Sequence, residues 1–251
     1  MMIETNSRLV RLLRLSIVGA FVALLLIGAM WWGRNNISPE ELVRRYQILA
    51  YGNPAMWRLT WLGVPTLQNP DDVWIIQEII SEVKPDLIIE TGTARGGSAA
   101  IWAMVQREVN ADGRVMSIDI QDVVERKKLT PSLLARIDFI VGSSIDSDVI
   151  LAVKEKAHGK RVLVLLDSGH DRAHVLRELT LYSPLVCIGS YVIVQDTIIN
   201  GHPVVNLEHQ GPGPMEAVEE FLANNSNFQV DTSREKLMFT MHPKGYLKRL
   251  W

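Results

Sequence analysis

Three patterns of apolar and polar positions succeed one another along the chain. Residues 15–32 hold no charged side chain and are apolar on every side from Ser16 to Met30. A run of about 18 such residues is near the minimum that spans a hydrocarbon core. Arg8, Arg11 and Arg14 precede it, and Trp31, Trp32 and Arg34 follow it, as expected of an anchor with an interfacial aromatic belt. No small-x-small cleavage site leads into a polar start, which disfavours a cleaved signal. The pattern predicts one N-terminal transmembrane helix within residues 1–36. Arginines on the two sides nearly tie in number, so charge alone leaves its orientation open.

Residues 37–84 form a helical lead-in. Ser38-Pro39-Glu40-Glu41 supplies a cap, a proline at the first position and early acids, and predicts a helix to about Ala50. Gly52-Asn53-Pro54 ends it. Trp57 to Pro65 is an aromatic loop that either covers a pocket or packs as a satellite core. Asn69-Pro70-Asp71-Asp72 opens a second helix, with Val73, Ile76, Ile79, Ile80 and Val83 on one face.

From residue 85 to 251 short apolar runs alternate with amphipathic stretches. Strands are predicted near 86–90, 114–119, 137–141, 161–166 and 187–194, and helices near 97–109, 146–157, 171–181 and 214–223. That alternation predicts an α/β fold with a doubly wound, mostly parallel sheet. The end differs, since 228–231 and 237–241 read as an antiparallel pair. The 251 residues suffice for one domain with an appendage, and a net charge of −2 excludes a global basic field for nucleic acid. The lone Cys187 can form no intrachain disulfide and reads as a small core hydrophobe.

The densest chemistry lies in Glu90-Thr91-Gly92-Thr93-Ala94-Arg95-Gly96-Gly97-Ser98. It follows a buried strand and opens a helix, so its backbone N–H groups face a ligand. Read as Gly92-x-Ala94-x-x-Gly97, it loosely fits a dinucleotide turn. Read as Glu90-x-Gly92-x-x-x-Gly96, it fits the first motif of class I S-adenosylmethionine (SAM) methyltransferases. An acid before the turn suits the cationic methionine end of SAM better than a pyrophosphate. Asp119, ending the next strand, can take two ribose hydroxyls under either reading.

Two further acids, Asp167 and Asp196, end the apolar runs 162–166 and 191–195. In a doubly wound sheet such ends converge at the carboxyl edge, where two carboxylates call for a proton or a cation between them. Oxygen ligands of this kind suit Mg²⁺, with helix capping as the plain alternative. His170 stands close enough to Asp167 to act as general base or to be structural. His174 reads as surface or packing. His202 lies in a long loop after Asp196 that is expected to cover the acceptor.

The segments ETGTARGGSA, GRVMSIDI, IDFIVGSSID, VLVLLDSGHD, GSYVIVQDT, GPGPMEAVEEFL and HPKGYLKR, in this order, resemble the cephalosporin hydroxylase/rhamnosyl O-methyltransferase family. The likeness covers roughly Trp57 to Lys248. It implies a Rossmann-like SAM-dependent methyltransferase acting on a hydroxyl of a sugar, glycolipid or related natural product. By the same likeness Glu90, Gly92, Gly96 and Ser98 hold the methionine end of SAM, Thr93 belongs to the cofactor site, Asp119 takes the ribose, and Ser143 and Ser144 border the adenine. As in catechol-type methyltransferases, Asp167 with Gln195 and Asp196 would hold Mg²⁺, although a glutamine stands where metal-binding members have an acid. If the strand ran on through both, Gln195 and Asp196 would also face opposite sides. SAM, a cytosolic metabolite, requires the catalytic domain on the cytoplasmic side. The competing readings are an NAD-dependent oxidoreductase or epimerase, for which no Tyr-x-x-x-Lys pair exists, and a non-catalytic, membrane-tethered SAM-binding protein.

Overall fold

A computed structural model describes residues 19–28, 37–205 and 211–251. The chain divides into two compact units, Met1–Arg45 and Tyr46–Trp251. In the first, α1 (residues 19–28) is exposed throughout. Among the described residues no helix is long and apolar enough to cross a membrane. The rest of the predicted span, 15–18 and 29–32, lies outside the described residues. Helix α2 (Pro39–Tyr51) starts where its cap predicts, with Ser38 Oγ accepting from Glu41 N at 3.2 Å.

In the second unit the aromatic loop is a small hairpin, β1 (Thr60–Trp61) with β2 (Val64–Pro65). Helix α3 (Pro70–Val83) follows, then β3 (Leu87–Thr91), α4 (Gly97–Val109), β4 (Arg114–Asp119), α5 (Pro131–Leu134), β5 (Ile137–Val141), α6 (Ser147–Ala157), β6 (Val162–Leu166), α7 (Arg172–Tyr182), β7 (Tyr191–Val194), α8 (Pro214–Asn224), β8 (Phe228–Val230) and β9 (Tyr246–Arg249). The sheet runs β5-β4-β3-β6-β7-β9-β8, with β3 to β7 parallel. Strand order reverses between β3 and β6, the switch point where the carboxyl edge of such a sheet opens a crevice.

Strands β3, β6 and β7 are buried at every position because helices cover both faces of the sheet. Alternate residues sort by face. Leu87, Ile89, Val162 and Val164 pack with Val153, Leu179 and Phe221, whereas Ile88, Leu163 and Leu165 pack with Ile76, Ile80 and Trp102. Each fully buried side chain of this size stabilises the fold by roughly 1.5–3 kcal/mol.

The C-terminal closure is antiparallel as predicted, but its last strand is β9, not 237–241. Leu237 and Met238 are exposed, and Met238 sits at φ 64°. Phe239 and Met241 instead fill a satellite cluster with Ala50, Ile198, Ile199 and Val204. Tyr246 and Leu247 are fully buried on opposite faces of the sheet. Strand β7 begins only at Tyr191, and Cys187 before it is half-buried, its Sγ donating to the Lys160 carbonyl at 3.4 Å.

Candidate active site

A cavity of about 630 Å³ lies at the carboxyl ends of β3, β4, β6 and β7. The glycine turn forms its floor, residues 142–144 and 167–170 its walls, and Tyr51, Trp57 and residues 65–68 its remaining side.

The half at β3 and β4 is set by backbone. Gly92 has φ 88°, and a Cβ there would stand 1.8 Å from the Asp167 carbonyl oxygen. Only glycine lets the ends of β3 and β6 approach so closely. Asp119 faces the cavity with both oxygens engaged, Oδ2 accepting from Ala94 N and Oδ1 from Gln121 N, each at 2.9 Å. Thr93 and Ser98 line the cavity, and Gly97 does so where Gly96 was expected.

Glu90 departs from expectation. It is fully buried and is not among the lining residues. Its carboxylate accepts from Trp102 Nε1 at 2.8 Å, Ser117 Oγ at 2.5 Å and the Ser98 hydroxyl. Burial, resisted by these donors, pushes the carboxyl up to about 7. Glu90 reaches the cavity only through Ser98 and through Ser117, which also meets Thr93 Oγ1 at 2.7 Å.

Ser143 and Ser144 line the cavity. Ser143 Oγ accepts from Ile145 N at 3.4 Å, so the turn also serves itself. Ser144 Oγ meets His174 Nε2 at 3.2 Å, and that nitrogen also lies 3.0 Å from Ser168 Oγ. Ser168 donates to the buried Glu178 at 2.8 Å. His174 therefore belongs to the cavity wall, and hydrogen bonding to Glu178 raises its imidazole pKa. The i, i+4 spacing of His174 and Glu178 on α7 was the signal available in the sequence.

The half at β6 and β7 is set by side chains. Asp167, His170 and Asp196 each bring a ligand atom within 4.8 Å of the others. His170 Nε2 lies 3.4 Å from Asp196 Oδ2. Burial, reinforced by the negative charges of Asp196 and Glu90, holds the Asp167 carboxyl well above the usual range. Gln68, unremarked in the sequence, donates Nε2 to Asp167 Oδ2 at 3.0 Å and to Gln195 Oε1 at 2.9 Å.

Gln195 is consequently not a metal ligand in this arrangement. Its side chain is buried against Gln68 and absent from the cavity wall. Strand β7 ends at Val194 and Asp196 turns at φ 55°, so the two neighbours point apart. His170 stands beside the two acids instead, its Nε2 next to Asp196. His202 does not line the cavity either, because its Nε2 meets Glu216 Oε1 at 2.7 Å on the first turn of α8. Residues 206–210 of that loop lie outside the described residues. Two half-buried carboxylates and an imidazole, with one acid driven toward its protonated form, suit a hard divalent cation with open coordination positions.

Residues 54–250 match the family model described as Rhamnosyl O-methyltransferase/CmcI. The chain is 35% identical over 244 residues to the rhamnosyl O-methyltransferase of Mycobacterium tuberculosis, covering 94% of this chain and 97% of that protein. The Mycobacterium leprae protein of the same name is 35% identical over 216 residues, covering 84% and 91%. Among solved structures, CmcI with Mg and SAM shares the fold at TM-score 0.59 and 20% identity, over 77% of each chain. The O-methyltransferase TomG of Streptomyces achromogenes, in complex with SAM, does so at TM-score 0.53 and 16% identity, over 86% of this chain and 92% of that one. The oxidoreductase alternative falls with these matches. By its family model and its curated relatives, the chain belongs to the rhamnosyl O-methyltransferase/CmcI family and is a class I SAM-dependent methyltransferase.

Proposed function

We propose that the chain methylates a hydroxyl of a sugar carried on a glycolipid or related natural product, with help from Mg²⁺. One observation carries this reading: a single cavity joins an Asp119-based cofactor wall to the Asp167, His170 and Asp196 cluster. The curated relatives named as rhamnosyl methyltransferases support a sugar acceptor.

SAM would supply the electrophilic methyl group, and Mg²⁺ held by Asp167 and Asp196 would supply positive charge that acidifies the acceptor hydroxyl. The chain's own residues do the rest. Asp119 accepts from the ribose hydroxyls and fixes the cofactor across the turn that Gly92 and Thr93 build. Ser98 and, behind it, Glu90 define the methionine end, while Ser143 and Ser144 border the adenine. His170 Nε2 takes the hydroxyl proton, and Asp196 Oδ2, 3.4 Å away, stabilises the resulting imidazolium. His202, tied to Glu216, shapes the loop beside the acceptor without touching the reacting atoms. The apolar segment 15–32 supports a single-pass anchor near a membrane-held acceptor, and the need for cytosolic SAM supports a catalytic unit on the cytoplasmic face.

The test is incubation with methyl-labelled SAM and a membrane glycolipid extract. Label should enter a lipid-linked sugar with Mg²⁺ present and stop with EDTA. Absence of label from every lipid and sugar fraction would end this reading. Full activity in EDTA would remove the metal and leave His170 and proximity to act. For the anchor, full-length protein should resist carbonate extraction, and residues after Asn36 alone should not.

A further inference from the structure

The motif HPKGYLKR has no part in the chemistry above, yet it approaches the site from beneath. Past the end of β7, residues 194–198 run beside residues 241–245. Val194 N donates to the Gly245 carbonyl at 2.9 Å, and Ile198 N donates to the Met241 carbonyl at 3.2 Å. Thr197 Oγ1 donates to the Pro243 carbonyl at 2.6 Å. Between them Asp196 N meets no carbonyl. It donates to a side chain, His242 Nδ1, at 3.0 Å. A ring nitrogen thus takes the place of a ladder acceptor at a residue whose backbone turns left-handed, φ 55°.

A non-glycine residue in that region is strained and persists only when its surroundings over-determine it. The surroundings of His242 do so. It is 2% exposed, and its own N–H donates to Thr240 Oγ1 at 2.9 Å. With Nδ1 accepting, the ring proton resides on Nε2, which lies 3.8 Å from Asp72 Oδ2, beyond hydrogen-bonding reach, so burial and packing rather than a second hydrogen bond seat the ring. Asp72 is fully buried and itself held by Asn69 Nδ2 at 2.9 Å, Met241 N at 2.8 Å, Tyr246 OH at 2.7 Å and Thr240 Oγ1. Gly245 completes the seat, since a Cβ there would stand 2.2 Å from the Val194 carbonyl oxygen.

We propose that His242 is a positioning residue which, packed in a buried seat beside Asp72, holds Asp196 in its left-handed turn and so aims that carboxylate at Asp167 and His170. This rests on the reading of Asp196 as a cation-holding acid. Without the Nδ1 acceptor the Asp196 N–H is left unpaired, and the chain relaxes toward an extended path that carries the carboxylate away.

The experiment uses the full chain and Mn²⁺ as a paramagnetic probe of the cation site. In the wild type the Asp196 amide should exchange slowly with solvent, and His242 Nδ1 should show the nitrogen shift of an acceptor. His242→Leu should speed that exchange and weaken Mn²⁺ binding, each by about tenfold or more, with S-adenosylhomocysteine affinity held within about twofold. His242→Asn, whose Oδ1 falls near the Nδ1 position, should recover most of both, and His242→Gln, whose acceptor reaches further, should not. Fast Asp196 exchange in the wild type overturns the proposal. So does a folded His242→Leu variant with unchanged Mn²⁺ affinity. If the leucine variant does not fold, equal Mn²⁺ affinities in the asparagine and glutamine variants overturn it. Unchanged Mn²⁺ affinity in Asp196→Asn would instead remove the reading of Asp196, while slow wild-type exchange would leave the hold of His242 on the backbone standing.

Discussion

The two halves of the cavity are built by different means. On the β3–β4 side the ligand surface is mostly backbone: a glycine turn, a helix start, and an Asp119 whose oxygens are fixed by the N–H groups of Ala94 and Gln121. On the β6–β7 side it is mostly side chain, and each reactive group is held from afar. Gln68 steadies Asp167 across 99 positions, and His242 steadies Asp196 across 46. A backbone surface depends on residues that sit next to one another, so substitution within the turn disables it. A side-chain surface depends on distant elements and can be retuned by residues that never touch a substrate. The first half should therefore be brittle in folding and the second brittle in chemistry.

Gly92→Ala is the hardest test of that contrast, because the new Cβ would collide with the Asp167 carbonyl and occupy φ 88°. It should cost at least about 4 kcal/mol, lowering Tm by roughly 8 °C or more, and abolish the thermal shift that S-adenosylhomocysteine produces. A variant that melts normally and still binds would show that the cofactor half is not rigid backbone.

Asp167→Asn should separate chemistry from folding. Methyl transfer should fall about a thousandfold, while S-adenosylhomocysteine binding stays nearly intact. In EDTA the variant should melt above the wild type, because it removes a buried acid crowded by Asp196 and Glu90. Lower stability in EDTA would mean that Asp167 is a structural acid.

Glu90 offers a pH test on the backbone side. Its carboxyl is held at about 7 in the fold against 4.5 in the unfolded chain. Between those values the native state keeps a proton that the unfolded state has lost. The contribution to stability is thus full below about pH 4.5 and falls as pH rises through 7, by about 3 kcal/mol. Denaturant melts of wild type and Glu90→Gln from about pH 5 to pH 8 should diverge by that slope, with the glutamine variant gaining at high pH. Parallel curves would place the Glu90 titration outside this window.

The smallest effect is expected from Gln195→Glu. In EDTA it adds a buried acid beside Gln68 and Asp167 and should cost about 1–3 kcal/mol. Excess Mg²⁺ should restore little of this, because position 195 points away from the cavity. Tighter Mg²⁺ binding, measured by calorimetry, would show that this side chain can turn into the site after all.

What the sequence determined by itself was whatever depends on neighbours in the chain. Apolar runs bounded by prolines and glycines marked the parallel strands, and strand-end acids marked Asp119, Asp167 and Asp196. The glycine turn marked the cofactor wall, because an αL glycine and a helix start are local demands of the backbone. The tertiary structure decided where side chains point once a strand has ended. It buried Glu90 beneath Trp102 and Ser117, turned Gln195 onto Gln68, and set His170 beside Asp167 and Asp196. It also drew His174 into the cavity wall and moved the last strand to Tyr246–Arg249. Past the end of a strand, alternation no longer assigns a face. A single left-handed residue such as Asp196 then redirects the chain, and the acceptor that holds it there comes from a segment 46 positions away.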